Sequence, residues 1–279
     1  MVEAGTSQGR VLGVFRAACI VVAVVAGVAG VVMLVAPEDT DRYFSWPIGP
    51  PPLAALVGGF YLASAATFGL LAVRRDWPAS RGICFGILVF TLSTLAATVR
   101  HRDLFDWGRW QALAWVALFV GSPLTFSSFL YLQRGGRSGG GEPLPGRTRT
   151  VLAGLGAVYS LLGFGLLFAP GRLQAEASPF RLPGLSGRFI GAWCAFLAVL
   201  ALFSAVRNRS HEAAFPMLAL VLWPVGGIVA GLRSFDDLQP SGRRMAYLAL
   251  LGAVAVLAAL AASAGRRRPA GDREGAAVV

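Results

Sequence analysis

An all-α polytopic membrane helical bundle, eight transmembrane helices arranged as two parallel four-helix repeats, is the fold this sequence predicts, on three observations. The composition is too apolar for a water-soluble core. Hydrophobic residues make up 56%, charged residues 14%, and mean hydropathy is +0.64, whereas soluble domains carry roughly a quarter charged residues. Eight apolar runs each reach the ~20 residues needed to cross ~30 Å of hydrocarbon. Finally, the chain aligns on itself without a gap at a shift of 133 residues.

The eight runs fall at residues 11–36, 53–73, 80–99 and 110–132, then 150–169, 189–206, 213–232 and 245–264. The first resembles a secretory leader because Arg10 precedes it. It exceeds the 7 to 15 apolar residues of a cleavable segment, so an uncleaved first helix is expected. Pro123 and Pro224 lie inside runs and predict kinks, tolerated where neighbours re-satisfy the freed carbonyls. Glycines such as Gly27, Gly30, Gly58, Gly59, Gly154, Gly156, Gly163 and Gly165 predict close helix packing. Residues 134–149, rich in Gly and Arg, read as a cytoplasmic linker between repeats 1–133 and 150–265, and residues 266–279 as a disordered cytoplasmic tail.

All 25 basic residues are Arg, and the net charge is +11. Such an excess suits nucleic acid when clustered, but here the arginines flank apolar runs, which is the pattern of membrane-adjacent charge. With the N-terminus inside, fifteen arginines fall on the cytoplasmic side and ten outside, while the acids divide six to eight. This predicts the cytoplasmic membrane, with both termini in the cytoplasm and the bilayer rather than nucleic acid as partner. Cys19, Cys84 and Cys194 lie within apolar runs without metal-ligand or disulfide spacing, so no metal and no cofactor is expected.

The self-alignment gives 18 identities over 109 positions, 16–124 on 149–257. Arg16 falls on Arg149, Pro37 on Pro170, Pro50 on Pro183, Gly58 on Gly191, Arg74 on Arg207, Arg100 on Arg233 and Asp103 on Asp236. Four crossings per unit return the chain to the same side, so the halves should be parallel and related by an axis along the membrane normal. The seam between them is then the expected working surface.

No run holds an Asp, Glu, Lys or His at mid-depth, which argues against a pump built on a buried carboxylate. His101 and His211 fall at opposite membrane surfaces and cannot share a haem; each reads as a solvated side chain. The best-marked polar groups close the third and seventh runs: Arg100, His101 and Asp103, and Arg233, Asp236 and Asp237. If the helix continues one more turn, Arg and Asp three apart share a face and pair. These six residues are the candidate ligand-binding set for a small-molecule or lipid ligand, against the alternative of interfacial anchoring by snorkelling arginines. Residues 38–52, with Tyr43, Phe44, Trp46 and four prolines, read as an interfacial aromatic belt or as a lid; the counterpart, 171–187, carries Pro179, Phe180 and Pro183. Thr91, Ser93, Thr94 and Thr98, with Ser122, Thr125, Ser127 and Ser128, would either bond to carbonyls one turn earlier or line a permeation path.

Tyr43-Phe44-Ser45-Trp46-Pro47-Ile48 with Pro50-Pro51, then Gly58-Gly59-Phe60-Tyr61 and Arg74-Arg75-Asp76-Trp77, resembles uncharacterised multi-pass membrane proteins of high-GC Gram-positive (actinobacterial) bacteria with a duplicated four-helix unit. The likeness covers mainly the first repeat; in the second, Trp193 stands near the Phe60 position and Pro179 replaces Trp46. It brings no reaction or substrate. The expectation is therefore a non-enzymatic small-molecule transporter, permease or accessory membrane subunit. The alternative is a membrane-embedded enzyme acting on a lipid or isoprenoid at the outer leaflet through Asp103, Asp236 and their arginines.

Overall fold

The computed structural model describes residues 13–74, 76–134, 141–172, 181–238 and 242–264. Eight long helices account for nearly all of them: α1 (Gly13–Val35), α2 (Pro51–Arg74), α3 (Trp77–Arg100), α4 (Trp110–Leu132), α5 (Gly146–Phe168), α6 (Gly184–Arg207), α7 (Ser210–Arg233) and α8 (Gly242–Ala264). All eight are long and apolar enough to cross a membrane, and the chain is an integral, multi-pass membrane protein.

Several helices begin before the apolar runs that predicted them, because a first turn tolerates polar residues and proline. Prolines start α2 at Pro51 and Pro52. Asp76 caps α3 by accepting from the Ala79 amide, with Pro78 in the first turn. α5 starts at Gly146, inside the expected linker. α4 runs continuously through Pro123, and α7 through both Pro216 and Pro224. Linker residues 135–140, the loop segment 173–180 and the tail 266–279 lie outside the described residues.

Burial sorts the helices into two shells. Between 56% and 67% of the span is buried in α2, α3, α6 and α7, against 11% to 28% in α1, α4, α5 and α8. The four inner helices form the core and the four outer ones face lipid. α1 illustrates the division: Phe15, Cys19, Ala26, Gly30 and Met33 form its buried stripe, while Val14, Val21, Val24, Val28, Val31 and Val35 are exposed. In water such a surface would drive aggregation; in hydrocarbon it is the solvated one.

Several packing partners exchange under a shift of four helices, although the α6–α7 and α5–α8 packings have no equally close α2–α3 and α1–α4 counterparts. α1 packs on α2 as α5 packs on α6; α2 crosses α7 as α3 crosses α6; α3 lies on α4 as α7 lies on α8; and α3 and α7 meet each other. Glycines set the α1–α2 and α5–α6 crossings. A Cβ added at Gly30 would come within 2.9 Å of the Gly58 carbonyl oxygen, and one at Gly163 within 3.2 Å of that of Gly191. A shift of 133 carries Gly30 onto Gly163 and Gly58 onto Gly191.

The closest approach joins the halves. At Gly59 an added Cβ would lie 2.2 Å from the Gly226 carbonyl oxygen, and at Gly226 it would lie 2.3 Å from that of Gly59. The two backbones touch, so neither position has room for a side chain. Gly226→Ala should therefore destabilise the fold by about 3 kcal/mol, the upper end for overpacking because backbone cannot move aside. Gly69→Ala, placed where nothing lies within 4 Å, should leave stability unchanged. Unfolding of both variants in detergent micelles checks the contrast.

Candidate functional site

Eight crossings put both described chain ends on one face, here the terminal face, and the sequence-predicted cluster on the opposite face. There α3 stops at Arg100. The His101 amide caps it by donating to the Ala97 and Thr98 carbonyls, and Arg102–Leu104 turn away in a 3-10 helix. α7 stops at Arg233, capped through the Ser234 amide. Neither helix makes the further turn on which the Arg–Asp pairing depended. Arg100, Asp103, Arg233, Asp236 and Asp237 are exposed, and neither Arg100–Asp103 nor Arg233–Asp236 forms an ion pair among the described residues. Asp103, Asp236 and Asp237, on which the enzyme alternative relied, line neither the apolar recess around Trp193 nor the recess beside Arg188.

What the structure does bring together is His101 and a residue the sequence reading passed over. Arg188, in the second turn of α6, places Nη1 2.9 Å from His101 Nε2 and donates to the Gly184 carbonyl at 3.0 Å. Partial burial, and next the charge of Arg188, hold the His101 pKa below its ordinary value. A neutral imidazole accepting from the guanidinium fits both facts. Its environment is thus an inter-half contact and not free solvent. His211 departs from the solvated expectation as well: its Nε2 lies 2.9 Å from Asp76 Oδ2 on the terminal face, again across the halves. Beside it, Arg207 donates through Nε and Nη2 to both oxygens of fully buried Glu212, at 2.7 and 3.0 Å. Arg207 ends α6 and Glu212 begins α7, so each charge also opposes the partial charge of its own helix terminus.

The loop between α1 and α2 turns inward. Trp46 and Ile48 are 3% exposed. Thr40 secures the turn, its hydroxyl accepting from the Ile48 amide at 2.9 Å. The Ser45 hydroxyl donates to the Gln111 carbonyl at 2.9 Å, and Arg109 donates to the Asp41 and Arg42 carbonyls. The Trp46 indole N–H reaches Ser186 of α6 at 3.3 Å, and its ring meets Phe105, Trp115 and Phe189. Trp46 is thus packed inside the bundle and not held in a surface belt.

Beneath this plug the seam is filled with rings. Trp193 contacts Phe60, Phe90 and Trp223, the Phe90 centroid at only 4.0 Å. The shift of 133 places Phe60 on Trp193 and Phe90 on Trp223. Of the membrane hydroxyls, Thr91 donates to Ile87, Thr98 to Thr94, and Ser128 to Leu124, while those of Thr67 and Thr94 are buried without a partner among the described residues.

No family model matches the chain, and no curated protein or solved structure matches it either. The site has to be argued from its own geometry.

Two recesses stand out among the described residues. One, about 80 Å³, is almost wholly apolar and lies among α1, α2, α3, α4 and α6, with Tyr61, Ser64, Thr91 and Ser122 as its hydroxyl-bearing lining. The other, about 330 Å³, opens on the opposite face between α3 and α5 over the start of α6. Ser93, Ala96, Ala97 and Arg100 of α3, Leu167 and Phe168 of α5, and Arg188 of α6 line it. No three His, Cys, Asp or Glu side chains cluster as a metal site among the described residues. One sign of Arg188 was available in the sequence: its repeat equivalent is Ala55, a charge standing where the other half has a methyl.

Two outcomes follow. Arg207→Ala leaves a buried carboxylate without its partner and should cost about 3 kcal/mol, the lower end for a buried pair because Arg207 keeps some contact with water; detergent unfolding measures it. For His101, the folded pKa lies below the unfolded value, so the unfolded chain takes up the proton first. The stability it confers is whole above its ordinary pKa of 6.5 and is lost as pH falls through the folded value. The unfolding temperature of His101→Gln should accordingly fall less than that of the parent between about pH 7.5 and 5.5.

Proposed function

We propose that the chain is a non-enzymatic accessory subunit of the cytoplasmic membrane, built from a duplicated four-helix unit, with both termini in the cytoplasm. The observation that carries this reading is the closed seam. Two backbones touch at Gly59 and Gly226, and the aromatic layer around Trp193 occupies the space where a permease would hold water. A permeation path also needs polar groups that water can reach, whereas the hydroxyls of Thr91 and Thr98 are bonded within α3 and the unpartnered hydroxyl of Thr94 is buried.

The duplication is supported by the exchange of helix partners and by the matched glycine pairs Gly30–Gly58 and Gly163–Gly191. The orientation rests on the arginine bias. An accessory subunit also needs a face for its partner. The least covered helix, α8, presents Ala246, Ala249 and Ala253 outward, a small-residue stripe that lets another helix approach closely.

Cysteine labelling tests both parts of the proposal, with Cys19, Cys84 and Cys194 replaced by alanine. Thr94→Cys should stay unreactive toward a water-soluble maleimide in membranes, and reaction there would restore the permease. Asp103→Cys should label from outside intact cells and Arg147→Cys only after permeabilisation. The reverse pattern would invert the orientation.

A further inference from the structure

The recess at the opposite face combines charge and apolar surface in an unusual way for a site at the edge of a bilayer. Arg100 has no hydrogen bond or ion pair to a described residue. Its nearest acid in sequence, Asp103, is turned outward on the 3-10 turn. Arg188 has one nitrogen, Nη1, engaged by His101 and Gly184, and Nε and Nη2 have no partner among the described residues. The Ser93 hydroxyl has no partner among the described residues, unlike those of Thr91 and Thr98 on the same helix. Two guanidinium groups thus border one recess of about 330 Å³, and among the described residues neither is paired with a carboxylate. Placing two like charges together costs energy unless an anion lies between them.

The walls say which kind of anion. Leu167, Phe168, Ala96 and Ala97 form the rest of the lining, and the surface beside it is hydrocarbon-facing: Phe168 is 68% exposed, Phe164 66% and Leu92 54%. A small soluble anion would use the arginines and leave these walls without a partner. A phospholipid engages both, its phosphate on the guanidinium forks and its acyl chains along α3 and α5. Arginine is suited to this task because its planar donors match phosphate oxygens in pairs.

The two halves differ at this point. Arg233 corresponds to Arg100, but Ala55, fully buried, corresponds to Arg188 and Gly226 to Ser93. In the related position the backbones of α2 and α7 close on each other through Gly59 and Gly226, where the corresponding pair is Ala192 and Ser93. One half therefore seals its crossing and the other keeps a recess with two cations.

We infer that the cleft formed by Ser93, Arg100, Leu167, Phe168 and Arg188 is a binding site for the phosphate headgroup of an anionic phospholipid, with His101 positioning Arg188. The inference rests on the membrane-spanning reading of the chain but not on the closed seam, so maleimide labelling at Thr94→Cys and lipid retention at the cleft can fail independently.

The test is lipid retention by the purified full chain in detergent, read by native mass spectrometry while phosphatidylglycerol, phosphatidylcholine or glycerol 1-phosphate is titrated in. Phosphatidylglycerol should be retained roughly tenfold more strongly than phosphatidylcholine, and Arg100→Gln should lower its retention by roughly tenfold, as loss of a charge-assisted phosphate contact implies. Arg188→Gln should do the same and Arg188→Lys less. Arg233→Gln should behave as the parent. Arg100 has no hydrogen bond or ion pair to a described residue, so Arg100→Gln decides the matter even if the Arg188 variants fail to fold. Equal retention of both lipids, or parent-like retention by Arg100→Gln, overturns the site. Displacement of phosphatidylglycerol by an equal concentration of glycerol 1-phosphate overturns the lipid assignment in favour of a soluble anion.

Discussion

Hydrocarbon gives two apolar helices no hydrophobic reason to associate, since lipid solvates a valine as well as another helix does. Association then depends on close packing and on bonds between the few polar groups present. Every backbone amide has to be satisfied within its own helix, which fixes the elements but leaves their arrangement open. In this chain the arrangement depends on glycine. The crossings of α1 with α2, of α5 with α6 and of α2 with α7 each run through a pair of glycines whose backbones approach too closely for a Cβ. The valine-rich outer face of α1 and the exposed leucines of α8 contribute nothing comparable, which is why these helices are the least covered.

Around the glycine crossings, aromatic rings and a few polar bonds fill the seam in layers. Trp46 enters from the opposite face and bonds to Ser186. Trp193 and Trp223 occupy the middle, with Phe90 and Phe196 against them. On the terminal face Asp76 both caps α3 and meets His211, and the Glu142 carbonyl accepts from the Ser210 amide at 3.0 Å. The histidines act as inter-half ties at the two membrane surfaces, where water on one side lowers the cost of keeping a polar group. Mid-depth carries no such tie, and none is needed where backbone and rings already fill the space.

The eight spans were legible because a membrane helix is written in consecutive residues: length and hydropathy are local properties. Their starts were less so, since Pro51, Trp77 and Gly184 belong to helices without extending the apolar run. The partner exchange was partly legible, through coincidences such as Gly58 with Gly191 that are specific because glycine at a crossing cannot be replaced. The site was not. Arg100 and His101 stood out as ionisable groups at a span end, but their relevant neighbour, Arg188, lies 87 residues away from His101 and reads locally as a loop charge. The expected Arg–Asp pairing assumed one more helical turn, and the cap at His101 ended the helix first. The inward turn of Trp46 was equally hidden, because an aromatic beside prolines has the same local appearance whether it lies at the headgroups or is buried under them.

The same geometry distinguishes the two crossings that the proposed duplication relates. Under the proposed duplication the α2–α7 crossing corresponds to the α6–α3 crossing, so a recess beside one would have a counterpart beside the other. Whether that counterpart is open depends on the bulk at the crossing. Glycine at both positions of the first, Gly59 and Gly226, lets the helices close to backbone contact. Ala192 and Ser93 at the second each carry a Cβ, and contact of that kind cannot form. The charge follows the space: Arg188 stands beside the open crossing, while its equivalent, Ala55, is fully buried beside the closed one, where a guanidinium would have neither room nor water. Divergence at three positions, Ala192 and Ser93 for spacing and Arg188 and Ser93 for charge and donors, is thus enough to turn a matched pair of crossings into one strut and one proposed binding cleft.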